Sequence, residues 1–231
     1  MRRPPEPLPP ETPEQIVALM LDAYLAGAFP MADAPSLAQQ RRQAEGRIRW
    51  FSPDPRAILP LEPGGLHIPG GVKKALRRRA FRLTADACFP RVLAECAVPS
   101  SKRGESWLSP TLSRWYAAMH DAGFAHSLEV WTADDALVGG IYGVCIGAAF
   151  FAESMFSRPE LGGEDASNIA LVRLVQHLQL RGYELLDVQL ANQHTQRFGV
   201  IEIPRRDYLK RLHSAVLQPD RWAPPDFTPA R

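Results

Sequence analysis

Cysteine is scarce in this chain: Cys88, Cys96 and Cys145 are the only three in 231 residues. Their odd number, without CxxC or metal-ligand spacing, argues against a disulfide framework and points to reduced, mostly buried thiols of a cytoplasmic protein. Long apolar runs are missing as well, so no segment reads as a bilayer span. The proline-rich stretch from Met1 to Pro13 lacks the apolar core of a signal peptide. Net charge is only +2, so a polyanionic partner would have to be met by a local basic patch rather than a global field. There is no Walker A or dinucleotide fingerprint. The histidines show no metal-ligand spacing, and none pairs with a Ser or Cys elbow. No internal repeat is present. With 45% hydrophobic residues, the chain reads as an ordinary globular protein of one large domain or two small ones.

Helix and strand signals follow in a clear order. Thr12-Pro13-Glu14-Gln15 is a helix start, with Thr as N-cap, Pro at the first helical position and Gln at the third. The helix runs to Gly27. From Phe29 to Pro63 the chain reads as irregular, with a short strand over Ala57 to Leu61. This stretch is taken as a small N-terminal domain, residues 1–61, followed by a larger one, 62–231. A basic helix from Gly71, a strand at Phe81 to Thr84 and a helix capped by Asp86 come next. Pro99 to Ser106 is loop-like, and Ser109-Pro110 opens another helix. Three strands follow, near Ser127–Thr132, Ala136–Cys145 and Ala148–Met155. A helix capped by Asp165 then leads to strands at Tyr183–Leu190 and Val200–Ile203 and a last helix from Arg205. An antiparallel meander, a long helix and a strand returning beside the meander make an α+β sheet, an order that matches the GNAT acyltransferase fold among others.

Two of these strands carry polar groups where apolar ones are usual. Asp187 and Gln189 are two apart on a strand and share a face. They fit either a strand end that caps a neighbouring helix or a general base steered by an amide. Glu153 faces the same choice, between a structural ion pair and a substrate contact. An inward Glu beside an inward Asp would form a negative pocket for a cationic substrate. Lys73, Lys74, Arg77, Arg78 and Arg79 form either a solvated helix face or a phosphate-binding surface. Trp50, Phe51 and Trp107 in loop contexts fit hydrophobic lids or stacking platforms for an unstacked base. Gly139, Gly140 and Gly143 inside a strand point to bulges or to close approach by a ligand.

These segments together resemble the leucyl/phenylalanyl-tRNA–protein transferase family. The resemblance runs from Ala23 to Leu212, through Ala23-Tyr-Leu-Ala-Gly-Ala-Phe-Pro30, Trp50-Phe-Ser-Pro-Asp-Pro-Arg56, Leu66-His-Ile-Pro69 and His126-Ser-Leu-Glu-Val-Trp131. It continues through Leu137-Val-Gly-Gly-Ile-Tyr-Gly-Val144, Glu153-Ser-Met-Phe-Ser157, Asp187-Val-Gln189 and Glu202-Ile-Pro-Arg205. It implies a GNAT-like C-terminal part without metal or organic cofactor. The implied activity moves Leu or Phe, and Met less well, from aminoacyl-tRNA to proteins with N-terminal Arg or Lys. A protease adaptor of N-degron degradation would be an indirect partner. By the same resemblance Asp187 and Gln189 activate the acceptor amine, Glu153 and Ser154 contact substrate, and Trp107 stacks on the terminal adenosine. Ile141 and Phe150 line the aminoacyl pocket. Independently of the resemblance, the charge of Lys73, Lys74, Arg77 and Arg78 would meet tRNA phosphates.

The chain departs from the family pattern at a few places. Phe29-Pro30-Met31 stands where the family has Phe-Pro-Trp, so Met31 leaves one stacking aromatic missing or replaced by Trp50. Ala152 stands for a Gly and Asn168 for a Lys. Two rival readings are a GNAT N-acetyltransferase using acetyl-CoA, which would want a glycine-rich pyrophosphate turn where Asp165-Ala-Ser-Asn168 stands, and a non-catalytic tRNA-binding module.

Overall fold

A computed structural model describes residues 12–34, 45–78, 81–98, 106–225 and 227. The proline-rich start up to residue 11, Arg79 of the basic helix and all but the end of the Pro99–Ser106 loop lie outside them. Helix α1 (Pro13–Leu25) begins as its sequence predicts. The Gln15 amide donates to the Thr12 hydroxyl and the Thr12 amide to the Gln15 side chain, with Pro13 inside the first turn. Ile16, Met20 and Tyr24, spaced four apart, are its buried stripe. Gly27 follows at φ +75°, where a Cβ would sit 2.7 Å from Leu209.

The stretch expected to be irregular instead forms a two-stranded antiparallel sheet, β1 (Phe29–Ala32) with β2 (Ile48–Phe51). Strand β3 (Arg56–Ile58), helix α2 (Gly70–Arg78) and strand β4 (Arg82–Ala85) come next. They are followed by α3 (Phe89–Ala97) and α4 (Pro110–Asp121). The meander is β5 (Ala125–Trp131), β6 (Leu137–Ile146) and β7 (Ala149–Ser157). The chain closes with α5 (Ala166–Arg181), β8 (Leu185–Gln189), the single turn α6 (Gln193–Gln196), β9 (Ile201–Ile203) and α7 (Arg205–Val216).

The larger sheet has the order β4-β5-β6-β7-β8-β3-β9. Its pairs are antiparallel except β7 with β8, which run parallel with α5 as the crossover between them. The fold is α+β, with the expected meander, helix and returning strand. The boundary expected after residue 61 falls just beyond β3, a strand of this sheet. Residues before and after it share one core: Met20, Tyr24 and Phe29 pack with Leu112, Tyr116, Phe151 and Tyr208. A second core lies on the opposite side of the sheet, where α5 and Val72 of α2 cover Ile141, Phe150 and Leu186.

Two expected caps take other roles. Asp86 precedes α3, whose N-cap position is Cys88 without a side-chain bond. The Asp86 carboxylate instead accepts from the Ser127 amide, the His126 ring and the Trp222 indole. Asp165 occupies the N-cap of α5 at φ +64°, but its carboxylate accepts from the Asn168 side chain rather than from the helix backbone. The strand glycines mark bulges and close approaches by the protein itself. The β6–β7 register shifts at Tyr142/Gly143. A Cβ on Gly143 would meet the Phe150 ring at 2.4 Å, and one on Gly139 would meet Ala166 at 2.5 Å.

Candidate active site

The parallel pair β7–β8 is short. It holds for Ala149–Leu185, Phe150–Leu186 and Phe151–Asp187, after which β7 continues to Ser157 without its neighbour. Where the strands part, Ala152, Glu153, Ser154 and Met155 become half-buried, although the β7 residues before them are buried. From β8 the Gln189 side chain reaches across to Glu153, and Asp187 lies buried two residues before it. Parting strands leave a cleft in the middle of a sheet, with polar side chains able to reach in from both walls.

Asp187 is fully buried and forms a two-point ion pair with Arg56. Arg56 Nε donates to Oδ1 at 2.9 Å and Nη2 to Oδ2 at 2.6 Å. Tyr208 of α7 donates its hydroxyl to Oδ2 at 2.7 Å, and the Gln189 amide donates to Oδ1 at 2.8 Å. Four donors fill a carboxylate's roughly four lone-pair sites. The guanidinium, 1% exposed, lies 4.8 Å from the Phe29 ring centroid and 4.6 Å from that of Tyr208. It also donates to the Gly27 carbonyl at 3.1 Å. The Asp187 carboxylate raises the Arg56 pKa against the opposing effect of burial.

Glu153 has a different environment. Tyr24 donates to Oε1 at 2.7 Å, Tyr116 to Oε2 at 2.9 Å and the Gln189 side-chain amide to Oε1 at 3.0 Å. Its partners are two phenols and an amide rather than a cation. Burial pushes its pKa up to about 7, the two phenols and Arg56 pull it down, and Asp187 adds to the rise. Burial also raises the pKa of both phenols well above the usual tyrosine value, which keeps them donors. Gln189 joins the two acids: its backbone N–H holds Asp187 and its side chain holds Glu153. It does so at φ +60°, a left-handed conformation that costs an ordinary residue about 1–2 kcal/mol.

The structure thus brings Asp187, Gln189 and Glu153 together, with Ser154 half-buried beside them. The negative pocket expected from two carboxylates holds one instead, because Arg56 neutralises the other. Arg56, Tyr24, Tyr116 and Tyr208 were not singled out from sequence as site residues. Arg56 sits in a motif but carries no sign of its partner, Tyr24 and Tyr116 read as members of apolar helix stripes, and Tyr208 lies in the last helix with no reading of its own.

Trp107 and Trp50 approach the same neighbourhood from its rim. The Trp107 ring meets Tyr116 edge-on at 6.3 Å, and its carbonyl accepts from the Ala32 amide beside Met31. Trp50, 38% exposed, stacks on Trp115 at 6.2 Å. Met31 is half-buried on β1, one pair away from Trp50. Ile141 and Phe150 are 3% and 1% exposed in the core under α5, whereas the phenols that hold Glu153 belong to the core on the other side. Lys73, Lys74, Arg77 and Arg78 are all exposed on α2, which is anchored through Val72 and Leu76. Two motif segments far apart in sequence also meet: Arg205 donates its amide to Asp54 and its Nε to Ser52.

A third cluster lies elsewhere. Asp86, His120 and His126 bring potential metal-ligand atoms within 4.8 Å of one another, which no sequence spacing announced. Hydrogen bonds already tie all three, His120 to the Ala125 carbonyl and His126 to both Asp86 and the Gly123 carbonyl.

Residues 59–213 match the model of the family described as leucyl/phenylalanyl-tRNA protein transferase. The protein of that name from Salinibacter ruber is 42% identical over 205 residues, 88% of this chain and 82% of its own. That from Akkermansia muciniphila is 42% identical over 205 residues, 89% of this chain and 96% of its own. Among solved structures, L-PGS from Bacillus licheniformis aligns with 78% of this chain and 59% of its own at 13% identity and a TM-score of 0.42, too loose a superposition to carry residue roles. The chain belongs to the leucyl/phenylalanyl-tRNA protein transferase family and is an aminoacyltransferase acting between aminoacyl-tRNA and protein.

Proposed function

We propose that the enzyme transfers Leu or Phe, and Met less well, to the α-amine of proteins beginning with Arg or Lys, in the cytoplasm, as a mark for N-degron proteolysis through an adaptor. The observation that carries this reading is the meeting of Glu153, Gln189 and Asp187 where β7 and β8 part. An aminoacyl ester is already activated, so direct aminolysis needs no covalent nucleophile. It needs a neutral amine held against the ester carbonyl, and positioning can contribute much of the rate. Asp187 acts through Gln189 by fixing the conformation that aims the amide into the cleft.

The cationic N-terminus of the acceptor finds a carboxylate in Glu153. Trp107 and Trp50 offer stacking surfaces for the terminal adenosine, with Met31 beside them. Ile141 and Phe150 would shape the aminoacyl slot from behind the sheet. Such a slot separates single methylenes by only about 1–3 kcal/mol, consistent with joint acceptance of Leu, Phe and Met. Lys73, Lys74, Arg77 and Arg78 supply phosphate contacts that depend on salt but not on sequence.

The test offers radiolabelled Leu-tRNA, Phe-tRNA, Met-tRNA and acetyl-CoA, each with a peptide starting in Arg and one starting in Glu. Leu and Phe should reach the Arg peptide, Met more slowly, and acetyl not at all. Acetylation alone would make the protein an acetyltransferase, and tRNA binding without transfer would leave it a binding module.

A further inference from the structure

We propose that Glu153 is the catalytic base that takes the proton from the incoming α-ammonium, and that Asp187 is a positioning residue that never takes a proton in the reaction. The inference rests on the aminoacyl-transfer reading above and assigns the proton within it.

The two carboxylates differ in their vacant lone pairs. Asp187 receives Arg56 twice, Tyr208 and the Gln189 amide, so no lone pair remains to receive an ammonium. A proton placed there would also leave Arg56 as a buried cation without its counter-ion, which is strongly unfavourable. Among the described residues, Glu153 receives three donors, two on Oε1 and one on Oε2. A lone pair on Oε2 is therefore left, on a half-buried side chain where the sheet opens.

The groups around Glu153 are Tyr24 from α1, Tyr116 from α4, Arg56 from β3 and Asp187 from β8. Tyr142 from β6 and Tyr208 from α7 lie farther out and feel its charge. Arg56 and Asp187 largely cancel, and the tyrosines are neutral donors, so Glu153 can change charge without an opposing cation locking it. Its pKa of about 7 lies close to that of a free α-amine, about 7.7–8.0. A small difference between donor and acceptor suits proton transfer near neutral pH.

The α-ammonium brings three N–H protons, and the first passes to Glu153 Oε2. The neutral amine attacks the ester carbonyl, forming the C–N bond. As the C–O bond to the ribose breaks, the ribose oxygen takes the second proton. The third stays on the new amide, and Glu153 sheds the first to solvent. Gln189, bonded to Oε1, keeps the carboxylate turned so that Oε2 faces the acceptor.

The experiment measures kcat against pH with saturating Leu-tRNA and an Arg-starting peptide for wild type, Glu153→Gln and Asp187→Asn. Wild type should lose rate on the acid side of neutrality. Glu153→Gln should lose about 10²–10⁴-fold in kcat, and its acid limb should move up to the pKa of the acceptor's own ammonium, about 7.7–8.0. Asp187→Asn should be slower but keep the limb. Because a slow Glu153→Gln could reflect disturbed packing, a second acceptor carries an aminooxy group in place of the α-amine. It is neutral throughout the assay range and needs no base, so it should restore Glu153→Gln to near the wild-type rate. A limb left unmoved in Glu153→Gln, a limb moved only in Asp187→Asn, or no rescue by the aminooxy acceptor would each overturn the assignment. Absence of transfer by the wild type from either Leu-tRNA or Phe-tRNA would instead overturn the proposed function.

Discussion

Two carboxylates separated by one glutamine side chain answer burial in opposite ways. Asp187 lies deep, and folding supplies a guanidinium, a phenol and an amide that together satisfy it. Glu153 lies at the opening, and the described residues give it only neutral donors. A buried acid whose partners are neutral donors is pushed toward its protonated form, as Glu153 is. The same cleft thereby holds one fixed charge and one adjustable charge, a division of labour suited to acid–base chemistry near neutral pH.

Removing the cation should break this contrast most severely. Arg56→Met leaves Asp187 buried without its counter-ion and should cost about 3–5 kcal/mol in urea unfolding. The double variant Arg56→Met, Asp187→Leu should recover much of that loss, since neither charge then needs solvating. Tyr208→Phe removes a single hydrogen bond to the paired carboxylate and should cost about 1.5–3 kcal/mol.

Glu153 sharpens the comparison through pH. Its folded pKa, about 7, is above the ordinary value of 4.5, so the folded chain holds an extra proton between those values. Its contribution to stability is complete below pH 4.5 and is lost as pH rises through 7. Glu153→Gln should remove this slope, so that relative to wild type it unfolds at higher urea at pH 8 than at pH 5. Tyr116→Phe takes away a donor that lowers the Glu153 pKa and should move the acid limb of kcat to higher pH.

The smallest structural effect is expected far from the cleft. Charge reversal at Lys73, Lys74 and Arg77, all exposed, should change stability by no more than about 0.5 kcal/mol. It should raise the KM for aminoacyl-tRNA and flatten its dependence on salt. An unchanged salt slope would remove α2 from the RNA contact surface.

The local rules of the chain were legible. The Thr12 capping box, the Ser109-Pro110 helix start, the apolar stripes of α1 and α4, and the meander before a long helix all follow from short-range patterns. So did the placement of Asp187 and Gln189 on one strand. The β1–β2 pair was missed because prolines and polar residues masked two short strands that stabilise each other only across a gap in sequence. Asp86 was misread as a cap because its partners, His126 and Trp222, arrive from distant segments. Arg56 was hidden for the same reason, its partner lying 131 positions later.

Sequence by itself determined most of the helices and the strands of the larger sheet, and that an Asp and a Gln would share one strand beside another bearing a Glu. Only the tertiary structure decided which acid is tied to a cation and which is left to titrate. That difference depends on which long side chains fold back into the cleft and how much water they exclude, and residues far apart in the chain set both.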